Sequence, residues 1–221
     1  MVIYFIRHGD PNYAHDSLTE LGHKQAATVA QRLTDCGISE IYASSCGRAV
    51  LTAEYTANLL NLPVTQLDFM REIRWTSVSG ESILEDGHLW FAAIALASQG
   101  KRINNPNWRE DAPFAKSYII EEAERVVTGF DNWLAQLGYS REGDYYRVTG
   151  TDTDKTIALF SHGGSSSVVL SHLLNIPLPQ ICGMFHPEVT GITAMILPDK
   201  PGQLIYPRIL FLNDAEHIKN L

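Results

Sequence analysis

Cysteine is scarce: three in 221 residues, at positions 36, 46 and 182, with no Cys-x-x-Cys pair among them. An odd, scattered set speaks against a disulfide framework or a zinc site, and a reducing, cytoplasmic location is expected. Long apolar runs are missing too. No stretch approaches the roughly 18 residues that a membrane-crossing helix needs. No basic segment precedes a long apolar stretch at the start of the chain, so no secretory signal is expected there. Positive charge is in the minority, with 17 Lys and Arg against 25 Asp and Glu and a formal net charge of -8. That balance does not suit nucleic acid or an anionic membrane, which call for a basic footprint. A P-loop, His-Glu-x-x-His and Gly-x-Ser-x-Gly are all absent, which sets aside P-loop nucleotide hydrolysis, zinc-peptidase chemistry and a serine-hydrolase elbow.

What is present is an ordinary globular composition, 45% hydrophobic and 19% charged, with length for one sizeable core. Val2 to Ile6 is a continuous apolar run, the pattern of a strand buried on both faces of a parallel sheet. Helical periodicity follows over residues 20–34, with Ser17 or Thr19 as N-cap and Leu21, Ala26, Val29, Ala30 and Leu33 on one face. Further strands are expected at 40–43, 63–67 and 156–160. Helices are expected at 47–60, capped by Ser44-Ser45, then at 86–98, 119–136 and 163–174. Glu121, Glu122 and Glu124 suit a solvated first turn, residues 138–154 suit a surface loop, and two late strands (192–197 and 204–212) complete the sheet. Alternating strands and helices predict a three-layer α/β/α sandwich with a mainly parallel central sheet. We expect one domain over 1–221, with a helical lid insertion at about 76–116.

Arg7-His8-Gly9 ends the first strand, and Ser161-His162-Gly163 ends a later one. Ligands of such sheets bind beyond the carboxyl ends of the strands, so both motifs are expected to face one crevice. Arg48 stands at the start of a helix and Gly163 opens another, where free N–H groups and the helix dipole favour an anion. Guanidinium forks and imidazoles suit a phosphoryl group, whose three equatorial oxygens need donors. Arg7, Arg48, His162 and Gly163 are therefore the expected phosphate-binding residues.

Three ordered stretches carry a resemblance. Arg7-His8-Gly9, residues 42–54 (Tyr42-Ala43-Ser44-Ser45-Cys46-Gly47-Arg48-Ala49-Val50-Leu51-Thr52-Ala53-Glu54) and Ser161-His162-Gly163-Gly164 resemble the motifs of the histidine phosphatase superfamily, the phosphoglycerate mutase-like family. Residues 17–22 and Leu212-Asn213-Asp214 match further recurrent segments of it. The resemblance implies that His8 is the nucleophile, forming a phosphohistidine, with His162 catalytic beside it. It implies that Glu72, in Met70-Arg71-Glu72-Ile73, is the proton donor. Ile73-Arg74-Trp75-Thr76-Ser77 departs from the Gly-x-Trp-Glu-Gly-like stretch usual at this place, which leaves Glu81 and Asp10 as rival acids. Asp10, Asn12, Tyr13, Glu81 and His186 are expected near the substrate, and Trp75, Trp90, Phe91 and Trp108 either cover it or pack the lid. The expectation is a metal-independent phosphatase acting on a phosphomonoester, with no cofactor. Its partner is a small phosphorylated substrate, with no nucleic acid or membrane and with a homodimer left open. Alternatives are a cofactor-dependent mutase and a non-catalytic phospho-ligand binder. The short loop after Gly9 favours the phosphatase.

Overall fold

The structure is a computed structural model and describes residues 1–77, 89–151 and 153–221. In chain order the strands are β1 (Val2–Arg7), β2 (Pro11–Asn12), β3 (Ser17–Leu18), β4 (Glu40–Ser44), β5 (Val64–Leu67), β6 (Tyr139–Glu142), β7 (Tyr145–Val148), β8 (Thr156–Ser161), β9 (Ile192–Ile196), β10 (Leu204–Ile205) and β11 (Arg208–Asp214). The helices are α1 (Glu20–Leu33), α2 (Gly47–Leu60), α3 (Leu89–Ser98), α4 (Ala112–Ala115), α5 (Ile119–Gln136), α6 (Gly163–Leu174) and α7 (Leu178–Met184).

The central sheet runs β11-β9-β1-β8-β4-β5, with β1, β8, β4 and β5 mutually parallel and β9 antiparallel to β1. The period of two along each strand divides the side chains between two cores. Ile3, Phe5, Ile157 and Leu159 face α5 and α6, packing with Val126, Phe130 and Val169. Ile6, Ala158 and Phe160 face α1 and α2, packing with Val29, Leu33 and Ala53. A strand covered on both faces needs apolar residues at every position, which is why these runs do not alternate in character. The fold is the expected mainly parallel α/β sandwich, and its register matters for function. Arg7 pairs with Ser161 across β1 and β8, while Ala43 of β4 pairs with Phe160 on the other side of β8. His8, His162 and Ser44 therefore emerge at one edge.

Several expectations need correction. Residues 138–154 are no loose loop, because β6 and β7 form a hairpin that β10 extends into a three-stranded sheet. Polar outward residues hide the alternation there, while Tyr139 and Tyr146 on the inner face are fully buried. The Tyr146 hydroxyl donates to Asp131 Oδ1 at 2.6 Å. The expected late strand at 204–212 splits around Pro207: β10 joins the hairpin and β11 edges the main sheet. Leu21 is exposed rather than on the buried face of α1. Glu122 is buried rather than solvated, held by Arg74 and Arg125. Nor do Ser44 and Ser45 cap α2; its N-cap is Cys46, with no side-chain bond. Helix α7 was not expected. The start of the lid helix expected at 86–88 lies outside the described residues; from Leu89 onward it is α3. Trp108 and Phe114, within the stretch expected to form a lid, belong to the main core. Gly183 of α7 lets α3 come close, since a Cβ there would lie 2.6 Å from that of Ala93.

The loop after β1 is fixed by contact with α1. Thr19 caps α1, accepting from Gly22 N–H at 3.0 Å and donating to Asp10 Oδ2 at 2.6 Å. Backbone meets backbone here: a Cβ on Gly9 would lie 2.6 Å from Gly22 O, and one on Gly22 would lie 2.2 Å from Asp10 O. No flexible side chain can yield at either contact. Gly22→Ala is expected to destabilise the fold by about 1–3 kcal/mol, as overpacking does, and to lower activity by shifting the loop that follows His8. Denaturant melts and turnover of the variant check both effects.

Candidate active site

His8 is only 2% exposed. Its Nδ1 lies 2.7 Å from Gly9 O. A carbonyl can only accept, so Nδ1 carries the proton and Nε2 keeps a lone pair. Arg48 Nε donates to that Nε2 at 3.3 Å, consistent with the same tautomer. Burial is the largest effect and, with the Arg7 and Arg48 charges, pushes the His8 pKa down to about 3, although the Gly9 bond opposes it. The imidazole is therefore in its neutral form throughout the physiological range, with a lone pair on Nε2.

The groups around it are cationic or are donors. Arg7 Nη1 donates to Pro187 O at 2.7 Å, and its Nε is buried without a hydrogen-bond partner among the described residues. His162 is fully buried, with its ring centroid 5.1 Å from that of His8. Its Nε2 lies 2.8 Å from Ser44 Oγ, and its Nδ1 is likewise buried and unpartnered. Ser44 Oγ also accepts from Cys46 N–H at 3.2 Å and has its own proton to give to Nε2, an arrangement that places the histidine proton on Nδ1. Burial, then the nearby His8 and the arginines, hold His162 well below its ordinary pKa. Two unsatisfied buried donors cost about 1–3 kcal/mol each, a cost that an anion bound between them would offset.

Carboxylates occupy the helix starts that the sequence assigned to an anion. Asp16 accepts from Gly47 N–H at the start of α2 at 2.6 Å and from Arg48 Nη1 by a short ion pair. It thus fixes the arginine's direction. Glu72 sits at the start of α6: Oε1 accepts from Ile73 and Ser165 N–H, each at 3.0 Å, and Oε2 from Gly164 N–H at 3.3 Å. These bonds and Arg48 favour the ionised form, but desolvation outweighs them and the pKa rises above the ordinary glutamate value. Oε2, with one longer bond, is the oxygen with room for a proton. A cleft of about 440 Å³ opens beside Glu72, lined by Arg48, Arg71 and Arg74 among others.

The remaining expected residues are distributed around this centre. Tyr13 is exposed, with Arg48 5.5 Å from its ring centroid. Asn12 lies in the β2–β3 hairpin and Asp10 is tied to Thr19. His186 is exposed and meets Trp90 edge-on at 6.2 Å. Trp90 also covers Gly163, since a Cβ there would touch its ring at 3.5 Å. Trp75 lies 6.2 Å from Trp90, Phe91 is exposed, and Trp108 packs inside against Phe114. Glu81 lies outside the described residues. Sequence reasoning missed Asp16, Ser44 as the partner of His162, and Thr52, which accepts from Gly9 N–H at 3.1 Å and donates to Arg48 O at 2.7 Å. The signal for Thr52 was its place one turn after Arg48.

A family model described as the histidine phosphatase superfamily (branch 1) matches residues 3–205. Curated relatives include the probable phosphoglycerate mutase GpmB of Erwinia tasmaniensis, 26% identical over 187 residues that cover 79% of this chain and 75% of the relative. The protein of that name from Yersinia pestis is 27% identical with the same coverage. Among solved structures, the phosphoserine phosphatase of Entamoeba histolytica superposes with a TM-score of 0.64 at 23% identity, covering 98% of both chains. A mycobacterial glucosyl-3-phosphoglycerate phosphatase gives 0.64 at 23% identity, covering 96% of this chain and 98% of its own. At these identities the structural likeness establishes the shared fold.

Proposed function

The chain belongs to the histidine phosphatase superfamily, and from that premise we propose that it is a metal-independent phosphatase that hydrolyses a small phosphomonoester through a phosphohistidine on His8. One observation carries this reading: the Gly9 carbonyl fixes the His8 tautomer, so that Nε2 presents its lone pair among Arg7, Arg48 and His162.

In the first step Nε2 attacks phosphorus, and the bond from phosphorus to the leaving oxygen breaks. Arg48 exchanges its bond to Nε2 for phosphoryl oxygens, joined by Arg7 Nε and His162 Nδ1. The arginines supply the positive charge the transition state needs, and each such donor is worth roughly 10²–10³ in rate. Glu72 gives its proton to the departing alkoxide, which is too basic to leave unaided. The Nδ1–H bond to Gly9 O steadies the positive ring that forms. In the second step Glu72, now ionised, takes a proton from water as that water attacks phosphorus. Phosphate leaves, and Nε2 regains its lone pair.

The names of the curated relatives favour a second reading, in which the phosphoryl group returns to a phosphoglycerate rather than passing to water. The 10–16 loop after Gly9 is short, which supports the hydrolase. Incubation with 3-phosphoglycerate and its bisphosphate separates the two. Net phosphate release is expected; isomerisation stimulated by the bisphosphate, with little phosphate released, would favour the mutase.

A further inference from the structure

The turn that carries Glu72 is tied down chiefly from α5. Arg125 on α5 donates through Nη1 to Phe69 O at 2.6 Å and through Nη2 to Arg71 O at 3.2 Å. A single guanidinium fork thus straddles the two carbonyls just before Glu72. Its Nε and Nη2 also engage Glu122 Oε2, at 3.1 and 2.5 Å. The other oxygen of Glu122 accepts from Arg74 Nε at 2.5 Å, so one buried carboxylate grips the chain on both sides of Glu72. The carbonyl between the two, Met70 O, accepts from Ser161 Oγ at 3.3 Å, next to His162. One turn along α5, Gly129 leaves room for the Phe69 side chain, which would otherwise lie 2.3 Å from a Cβ. A solvated surface arginine would not commit its donors to two carbonyls of one turn and a buried carboxylate of its own helix.

We propose that Arg125, locked by Glu122, is a positioning residue that holds the 69–71 turn and so sets the Glu72 carboxyl for proton transfer. This rests on the reading of Glu72 as the proton donor. Arg125 touches no reacting atom in this scheme; it acts through where it places the acid. A displacement of about 1 Å in such a group can cost on the order of 10² in rate.

The test compares kcat/KM for two substrates. p-Nitrophenyl phosphate expels a stable anion and needs little help from an acid, whereas β-glycerophosphate expels an alkoxide that must be protonated. Glu72→Gln is the reference and is expected to lose far more on β-glycerophosphate. Arg125→Met is expected to show the same selectivity, losing about tenfold or more beyond its loss on p-nitrophenyl phosphate. Arg125→Lys keeps the charge but cannot fork across two carbonyls, and is expected to fall between wild type and Arg125→Met. Equal losses on both substrates, or none, in the Arg125 variants beside a selective Glu72→Gln would overturn the positioning role and leave Glu72 as the acid. A Glu72→Gln without selectivity would overturn the acid assignment and this inference with it. Should Arg125→Met not fold, Arg125→Lys decides the same comparison.

Discussion

His8→Ala is expected to reduce turnover of p-nitrophenyl phosphate by on the order of 10⁴-fold or more. The size follows from the chemistry. Removing a binding arginine leaves the two-step route open with a poorer pocket, but removing Nε2 removes the atom that forms the intermediate. Arg48 and Asp16 would remain paired and His162 would keep Ser44, so the variant should still bind phosphate. Its affinity for inorganic phosphate, read by calorimetry, should therefore be close to that of wild type. Added imidazole, which can occupy the space of the lost ring, is expected to restore part of the activity. Turnover near the wild-type rate in His8→Ala would remove the nucleophile from the scheme.

Glu72→Gln is expected to lower kcat/KM for an alkyl phosphate by roughly 10²–10⁴, the usual contribution of a general acid. Its pH dependence gives the sign. Desolvation raises the Glu72 pKa, and the protonated form is the one that works in the first step. Activity on alkyl phosphates should therefore fall as pH rises through that raised pKa, above the ordinary glutamate range. His8 titrates near 3 and so contributes no limb in the neutral range. The substrate's own ionisation is common to wild type and variant, so the limb that disappears in Glu72→Gln belongs to Glu72. A pH profile of identical shape in the two proteins would contradict the assignment.

Much of this could be read without a structure, for identifiable reasons. The β1 and β8 runs are apolar at every position because both faces are covered, and parallel register then brings Arg7-His8 and Ser161-His162 to one edge. Helix limits were readable where periodicity was strong, as for α5, whose bounds match. The β6–β7 hairpin was hidden because its outer face is polar and only Tyr139 and Tyr146 point inward. Asp16, Ser44 and Arg125 could not be read at all. Each acts through a contact across the fold, to Arg48, His162 and the 69–71 turn, and no spacing in the chain records those approaches. Of the two candidate acids within the described residues, the Asp10 carboxylate is engaged by Thr19, whereas Glu72 lies against the start of the helix that follows His162, which supports Glu72 as the proposed donor.

The proposed phosphohistidine is open to direct capture. Wild-type enzyme mixed with p-nitrophenyl phosphate, quenched in base and digested, is expected to yield one phosphoryl group on the peptide spanning Arg7-His8-Gly9. The modification should survive alkali, be lost in mild acid, and be absent from His8→Ala. A phosphoryl group on any other residue, or steady turnover with no phosphoenzyme at any quench time, would contradict the central role given to His8.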